Sequence, residues 1–275
     1  MKAAVLTEAG LQIQEVPEPQ PEANQVLVRV KASGLNRADL IMASGRKHGS
    51  RGGAGAIAGL EWAGEVVEVG TVVDGIKAGD RVMCSGGGGY AEYAVSDWGR
   101  TALIPANNMS FEQAATLPVA LQTMHNAVVT AGRLLEGEAV IIQGASSGVG
   151  LMGMQIAKHL GARLVIGTST NAERRARLGE FGADLALDSS DPEWPDAALE
   201  ATDGQGVDLI VDQISAGVAN QNMKAVRVLG RIVNVGRLGG FSGDFDFDLH
   251  AAKRIDYIGV TFRTRSVEEV REINR

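Results

Sequence analysis

Residues 139 to 162 read AVIIQGASSGVGLMGMQIAKHLGA, and no other stretch restricts the fold as strongly. Ala139 to Gln143 is a short apolar run with β-branched residues, the length of one buried parallel strand. It breaks into Gly144-Ala145-Ser146-Ser147-Gly148-Val149-Gly150, where small residues let the backbone turn sharply and approach a ligand. The spacing then predicts a helix with Val149, Gly153, Ile156, Ala157 and Leu160 on one face, ended by Gly161 at its C′ position. Strand, tight turn and helix N-terminus form a dinucleotide-binding unit, in which free N–H groups and the helix dipole face a pyrophosphate. Aligned on its last glycine, the G-x-G-x-x-G fingerprint becomes Ala145-x-Ser147-x-x-Gly150, with the first two glycines replaced. The strand before and the helix after therefore carry the assignment. Ser146, Ser147, Gly148, Val149 and Gly150 are the candidate cofactor contacts of this turn.

Strands and helices alternate around this unit. After Ala139 to Gln143, strands are expected at Arg163 to Thr168, Leu185 to Asp188, Val207 to Asp212, Gly230 to Val235 and Tyr257 to Thr261. Helices are expected at Ala172 to Phe181 and Val218 to Leu229. Such alternation implies an α/β fold, a doubly wound six-stranded parallel sheet of Rossmann type with helices on both faces. The first hundred or so residues read differently. Ala3 to Leu6, Leu11 to Val16, Val26 to Ala32, Glu65 to Val69, Arg81 to Cys84 and Tyr90 to Val95 are short strand-like runs between turn signals. One short helix is expected at Asp39 to Ala43, a helical turn at Phe111 to Leu117 ending at Pro118, and a longer helix from Val119 to Leu134. The expected division is a mainly β domain over residues 1–118 and a dinucleotide-binding domain over 119–275.

Composition excludes several classes. A net charge of −7 argues against nucleic acid or an anionic membrane as the main partner, since both need a basic surface. The single cysteine, Cys84, excludes an internal disulfide framework and a multi-cysteine metal site. No apolar run reaches transmembrane length, and the N-terminal MKAAVLTEAG is too short in its apolar part for a signal peptide, so a cytoplasmic location is expected.

An NAD site places an Asp or Glu about 20 residues past the fingerprint, on the ribose 2′-hydroxyl. Here that position is Ser169, within GTSTNAERR, and no acid lies there. A carboxylate would repel a 2′-phosphate, whereas hydroxyls and a guanidinium would bind one. Ser169 and Arg174 are therefore candidate contacts to NADP(H); Arg175 is read with Arg174 as either a second contact or a solvated helix face.

GASSGVG (144 to 150) also resembles the turn of short-chain dehydrogenases. That family sets its motif near the N-terminus and carries a Tyr-x-x-x-Lys downstream, whereas here the motif is mid-chain and Tyr257 is followed four residues on by Thr261. The order of a β-rich domain and then a nucleotide fold is similar instead to the medium-chain dehydrogenase/reductase superfamily. SGLNRADLIMASG (33 to 45), AGLEWAGEVVEVG (58 to 70), GDRV (79 to 82), GGGGYAEYAV (86 to 95), AATLPVALQTMHNAV (114 to 128) and RIVNVGRLGG (231 to 240) resemble its zinc-independent quinone oxidoreductase branch, the zeta-crystallin-like proteins. The resemblance implies a GroES-like first domain. Zinc-containing members carry ligands where this chain has Asn36 and Gly59-Leu60-Glu61. Leucine cannot ligate, and His48, His125, His159 and His250 show no ligand spacing, so no metal is expected.

The resemblance further implies transfer of a hydride from NADPH to a small-molecule quinone or to the β-carbon of an α,β-unsaturated carbonyl. Charge then develops on the carbonyl oxygen, and oriented hydrogen bonds must stabilise it. Asn36 stands where zinc enzymes place a ligand and has two N–H donors; its other reading is a turn asparagine. Asp39 either orients Asn36 or caps the short helix, and Thr123 matches the family position near the nicotinamide. Gly236 and Arg237 match the loop beside the nicotinamide ribose. Relatives carry substrate-contacting tyrosines after the asparagine segment, where this chain has Ile41 and Lys47. A second function therefore stands beside the first, a non-catalytic NADPH-binding protein of the same fold. The sixth strand of the sheet is expected at an edge, where it would pair two copies into a homodimer, with Arg263 and Arg265 beside it. Members of the family return after this strand to complete the first domain. This sequence reaches VEEVREINR at that point, so the returning part is expected to be absent.

Overall fold

The computed structural model describes every residue except His48, Ser50 and Asn107, so the histidine expectation at position 48 lies outside the described residues. The chain forms two compact units, Met1–Val119 together with Phe262–Arg275, and Ala120–Thr261.

The first unit begins with an antiparallel hairpin of β1 (Lys2–Thr7) and β2 (Gly10–Glu15). An antiparallel sheet follows, built from β3 (Gln25–Ser33), β4 (Glu61–Val69), β5 (Arg81–Ser85), β6 (Tyr93–Asp97) and β7 (Thr101–Leu103), in the order β6-β3-β4-β5-β7. Its apolar face buries Val26, Val28, Trp62, Val66, Val82, Cys84 and Ala94. Trp62 is fully buried, and a Cβ on Gly86 or Gly89 would lie 2.7 Å from its ring atoms. The glycine cluster before Tyr90 is thus a surface for an indole to lie against, not a flexible tract. Burial pushes the Cys84 thiol up to about 12, which leaves it an inert core side chain. The short β7, preceded by a 3₁₀ turn at Trp98–Arg100, has too little periodicity to be legible in sequence.

Helix α1 (Arg37–Ala43) follows β3, and α2 (Phe111–Ala114) and α3 (Pro118–His125) lead out of the sheet. Pro118 opens α3 where it had been expected to close the preceding turn; at the first helical position its missing N–H costs nothing. The helix expected to reach Leu134 changes at Asn126 into a π-helical turn, Asn126–Ala131.

The second unit is a parallel sheet of β8 (Ala139–Ile142), β9 (Leu164–Thr168), β10 (Leu185–Leu187), β11 (Val207–Asp212), β12 (Val226–Asn234) and β13 (Asp256–Gly259), ordered β10-β9-β8-β11-β12-β13. Val140, Ile142, Val165, Leu209, Val211 and Val233 fill one face, while Ile141, Ile166, Ile210 and Ile232 fill the other. Both faces are therefore buried, as a crossover sheet requires. The crossovers carry α4 (Gly148–His159), α5 (Ala172–Arg175), α6 (Trp194–Glu200), α7 (Ala219–Ala225) and α8 (Phe247–Lys253). Helix α4 buries Gly150, Gly153, Met154 and Ala157. It ends in a Schellman arrangement, with Ala162 N–H to the Ala157 carbonyl at 3.1 Å, Gly161 N–H to Lys158 at 3.0 Å, and Gly161 at φ 79°. Two helix expectations are corrected. Ala172 to Phe181 splits into α5 and a 3₁₀ turn at Leu178–Phe181, and Val218 to Leu229 is helical only to Ala225. From Val226 onward the β-branched residues pair with β11.

The domain expectation is corrected at its end. Residues 262–275, expected with the nucleotide-binding half, group with the first unit. Helix α9 (Val267–Asn274) starts on a capping box, with Glu269 N–H to Ser266 Oγ at 3.2 Å and Ser266 N–H to Glu269 Oε2 at 2.8 Å. It buries Val270 and Ile273. Arg271 donates from Nε and Nη2 to the two oxygens of Asp97, at 2.9 and 2.6 Å, and its guanidinium lies 4.7 Å from the Trp98 ring centroid. Burial by itself raises the Asp97 carboxyl, but the bonds from Arg271, the Gly99 N–H and Asn24 outweigh it and hold the carboxyl below its usual range.

Arg271→Ala removes a charge-assisted pair of bonds and is expected to cost about 1.5–3 kcal/mol, read as a lower urea midpoint. Because the folded carboxyl is depressed, its contribution is present above the unfolded carboxylate pKa and lost as pH falls below about 4. The midpoint difference between wild type and Arg271→Ala should therefore hold down to about that pH and shrink below it; a difference that stays constant well into more acid conditions defeats the assignment.

Candidate functional site

The second unit carries the nucleotide turn. Gly144 leaves β8 at φ 66°, a conformation that favours glycine. Ser147, extended at φ −79° and ψ 155°, caps α4 by accepting the Gly150 N–H at 3.1 Å, and its hydroxyl lies 2.9 Å from the Gly144 carbonyl. A Cβ on Gly150 would sit 2.6 Å from Ala145 Cα and 2.7 Å from the Gly144 oxygen, so the glycine kept from the fingerprint is the one that lets helix and strand close. A Cβ at Gly148 would meet nothing within 4 Å. The first N–H groups of α4 have no intrahelical acceptor and point out of the turn with the helix dipole, a geometry that fits a pyrophosphate. Val149 is half-buried against the core on this face.

At the end of β9, Ser169 is buried and its hydroxyl lies 2.9 Å from that of Ser146. The two arginines after it separate cleanly. Arg175 donates to the Ser169 carbonyl at 2.8 Å and pairs with Asp188 at 3.0 Å, so it is spent on the fold and neutralises the nearby acid. Arg174 is exposed on α5, and its guanidinium has no partner among the described residues. Asn171 caps that short helix by accepting the Arg174 N–H at 2.9 Å.

Beneath the turn lies a buried polar network. Thr168 Oγ1 donates to Gln143 Oε1 at 2.6 Å, Gln143 Nε2 to Asn222 Oδ1 at 2.8 Å, and Gln213 Nε2 to the Gln143 carbonyl at 3.0 Å. Gln213 Oε1 also lies 3.2 Å from the Ser147 hydroxyl. Asp212, wholly buried, accepts the N–H groups of Ile214 and Ser215 at 2.7 and 3.0 Å; burial raises its carboxyl and those bonds oppose the rise. The loop after β12 rests on this network. A Cβ on Gly236 would lie 2.5 Å from the Gln213 carbonyl, which accounts for the glycine, and Arg237 bonds back to Val235 O at 3.1 Å. Thr123, half-exposed on α3, makes no side-chain hydrogen bond among the described residues.

In the first unit, Asn36 is the extended N-cap of α1, at φ −121° and ψ 147°. Its backbone N–H goes to Asp39 Oδ2 at 3.0 Å, so Asp39 caps the helix entry and does not hold the Asn36 amide. That amide instead donates from Nδ2 to Glu61 Oε1 at 2.9 Å. Glu61 Oε2 accepts the Val119 N–H at 2.8 Å. The Tyr90 hydroxyl lies 2.9 Å from Asp39 Oδ2 and 3.2 Å from the Gly34 carbonyl. Burial raises the Glu61 carboxyl, its two N–H donors lower it, and the Asp39 charge adds to the rise; burial and Asp39 raise Tyr90 as well. Glu61 and Tyr90 were absent from the sequence-derived candidates. Their signal was available, Glu61 beside the leucine in the Gly-Leu-Glu triplet and Tyr90 at the end of the glycine cluster. Ile41 is half-exposed and Lys47 exposed.

The donor set does not fit zinc. Leu60 is buried in an apolar cluster with Leu6, Met42 and Ala58, and no group of three His, Cys, Asp or Glu among the described residues could hold a metal. His125 and His159 are exposed at helix ends, and His250 lies against Phe245. No helix among the described residues is long and apolar enough to cross a membrane.

Comparison with known proteins places these features in a family. Residues 22–106 match the alcohol dehydrogenase GroES-like domain and residues 148–274 the zinc-binding dehydrogenase domain. The chain is 34% identical over 228 residues to a phenolphthiocerol/phthiocerol polyketide synthase of Mycobacterium tuberculosis, matching 83% of this chain and 10% of that protein. It thus spans about a tenth of the length of that relative. It is 30% identical over 260 residues to the quinone oxidoreductase of Rattus norvegicus, matching 94% of this chain and 78% of the relative. A mycobacterial protein solved in complex with NADPH superposes with a TM-score of 0.85 at 28% identity, covering 99% of this chain and 86% of the other. The chain belongs to the medium-chain dehydrogenase/reductase superfamily, in its quinone oxidoreductase branch.

Proposed function

We propose that this protein is an NADPH-dependent oxidoreductase that reduces a quinone or the carbon–carbon double bond of an α,β-unsaturated carbonyl. One observation carries the reading. At the ribose end of a dinucleotide turn, two serine hydroxyls 2.9 Å apart stand at the position of an NAD site's carboxylate, and five residues on Arg174 is exposed with no partner for its guanidinium among the described residues. The rat quinone oxidoreductase supports the quinone class, and the mycobacterial NADPH complex supports the cofactor.

The α4 N-terminus, with Ser147, Gly148, Val149 and Gly150, holds the pyrophosphate. Ser146, Ser169 and Arg174 hold the 2′-phosphate, and the Gly236 loop with Arg237 borders the nicotinamide ribose. Bound NADPH supplies the hydride. Thr123 offers its hydroxyl on the nicotinamide side. Asn36 donates its second amide N–H to the acceptor oxygen as negative charge grows there, and the proton that completes reduction comes from water. Asp39 fixes the backbone from which Asn36 projects. β13 occupies one edge of its sheet, and two copies pair through it into a homodimer.

Following NADPH absorbance with a benzoquinone and a small enone, with NADH in parallel, tests the reading. Turnover with NADPH and much less with NADH is expected. Equal rates with both leave an oxidoreductase and sink the 2′-phosphate assignment, while tight NADPH binding without turnover favours the non-catalytic alternative. Arg174→Ala should weaken NADPH binding roughly ten- to hundredfold and leave NADH unchanged, by fluorescence titration. Asn36→Ala should lower kcat about a hundredfold with NADPH affinity intact. An unchanged kcat removes Asn36 from the chemistry.

A further inference from the structure

The Asn36 amide can lie either way round, and only one way presents N–H to a substrate oxygen through the hydrogen left over from its bond to Glu61. What decides the orientation is visible in the first unit. Glu61 is 4% exposed, and each of its oxygens faces one donor: Nδ2 of Asn36 at 2.9 Å, and the Val119 N–H at 2.8 Å. A backbone N–H cannot turn round. Gly34 closes the space behind, since a Cβ there would lie 2.5 Å from Glu61 Oε1 and 2.4 Å from the Ala115 carbonyl. Glu61 therefore has no room to swing away from either donor.

We infer that Glu61 is the positioning residue of the site: its carboxylate, an acceptor at both oxygens, locks the Asn36 amide with nitrogen inward to Glu61 and its remaining N–H free for the substrate. The inference rests on the role given to Asn36 in the preceding section. A carboxylate is the one side-chain group of this size and shape with two acceptors and no donor. Glutamine at this place has one acceptor and one donor. Its oxygen must serve Val119, because that N–H is fixed, and its amide then faces Asn36. Two amide nitrogens cannot face each other, so Asn36 turns over, gives its oxygen to the glutamine, and its N–H groups leave the direction they had. The variant keeps volume and backbone while reversing one amide. Asp39 and Tyr90 are the other titratable groups facing this cluster, and neither carboxylate nor phenol accepts from the Asn36 amide. The Asp39 carboxylate takes the Asn36 backbone N–H, its own backbone N–H faces the Asn36 side chain in a capping box that favours the same orientation, and Tyr90 binds Asp39.

The test is a cycle of Glu61→Gln and Asn36→Ala on the whole protein, read as kcat and as KM for the acceptor. Glu61→Gln alone should lower kcat by about the same factor as Asn36→Ala, on the order of a hundredfold, with NADPH affinity unchanged. Added to Asn36→Ala it should lower kcat no further, because there is no amide left to orient. Equal losses in both backgrounds overturn the positioning role and leave the proposed function standing. Full kcat in Asn36→Ala overturns the role of Asn36 and this inference with it. If Glu61→Gln does not fold, the wild-type protein answers by NMR. The Asn36 side-chain N–H pair, assigned by its loss in Asn36→Ala, should contain one proton exchanging slowly with solvent and one exchanging fast. Two fast protons overturn the lock.

Discussion

The close approach of Gly150 to Ala145 and the Gly144 carbonyl is the constraint on which the nucleotide site depends. It brings the α4 N-terminus down onto the end of β8, and with it the uncommitted N–H groups and the dipole. The two replaced glycines of the fingerprint cost little because the conformational burden sits elsewhere. Gly144 takes the left-handed turn, and Ser147, extended, contributes a cap in place of a glycine. The polar network below the turn uses Gln143, Gln213 and Thr168 to tie the ends of three neighbouring strands to it, so the loops of β8, β9 and β11 are set by shared bonds.

In the first unit the equivalent constraint is Trp62. Its indole is enclosed by the sheet on one side and by Gly86 and Gly89 on the other, and Glu61 precedes it on β4. With the tryptophan buried, alternation along the strand at first suggests that its neighbour should face water. Glu61 is buried too, because its place is beyond the end of the β3–β4 pairing, where the chain of α1 and the start of α3 close over it. A buried carboxyl of this kind is tolerated only when its oxygens are satisfied, and here both are.

Much of this was legible from the chain. The alternating strands, the strand–turn–helix unit, the absence of an acid at Ser169 and the short helix after Asn36 all follow from patterns within about twenty residues, which local physics reads well. The failures share a cause. Residues 226–229 join a strand, and Glu61 and Tyr90 enter the Asn36 cluster, each because of a partner distant in sequence. Periodicity is blind to such partners. The same blindness explains Asp39, whose spacing from Asn36 fitted two uses and whose bond to the backbone N–H distinguishes them. The grouping of residues 262–275 with the first unit was out of reach for the same reason, since VEEVREINR shows an acidic helix and gives no sign of Asp97 as its anchor.

That anchor bears on how the protein is made. The first unit takes residues 1–119 and then waits for residues 262–275, whereas the second unit is a single uninterrupted stretch between them. During synthesis the ribosome releases the whole of the second unit before α9 emerges. The first unit thus gains its contacts with residues 262–275 only after the second unit has emerged, a departure from the usual N-terminal-first order for domains. Until then Asp97 and Trp98 stand without the Arg271 guanidinium, and the nascent chain carries in passing a carboxylate and an indole whose partner has yet to be made.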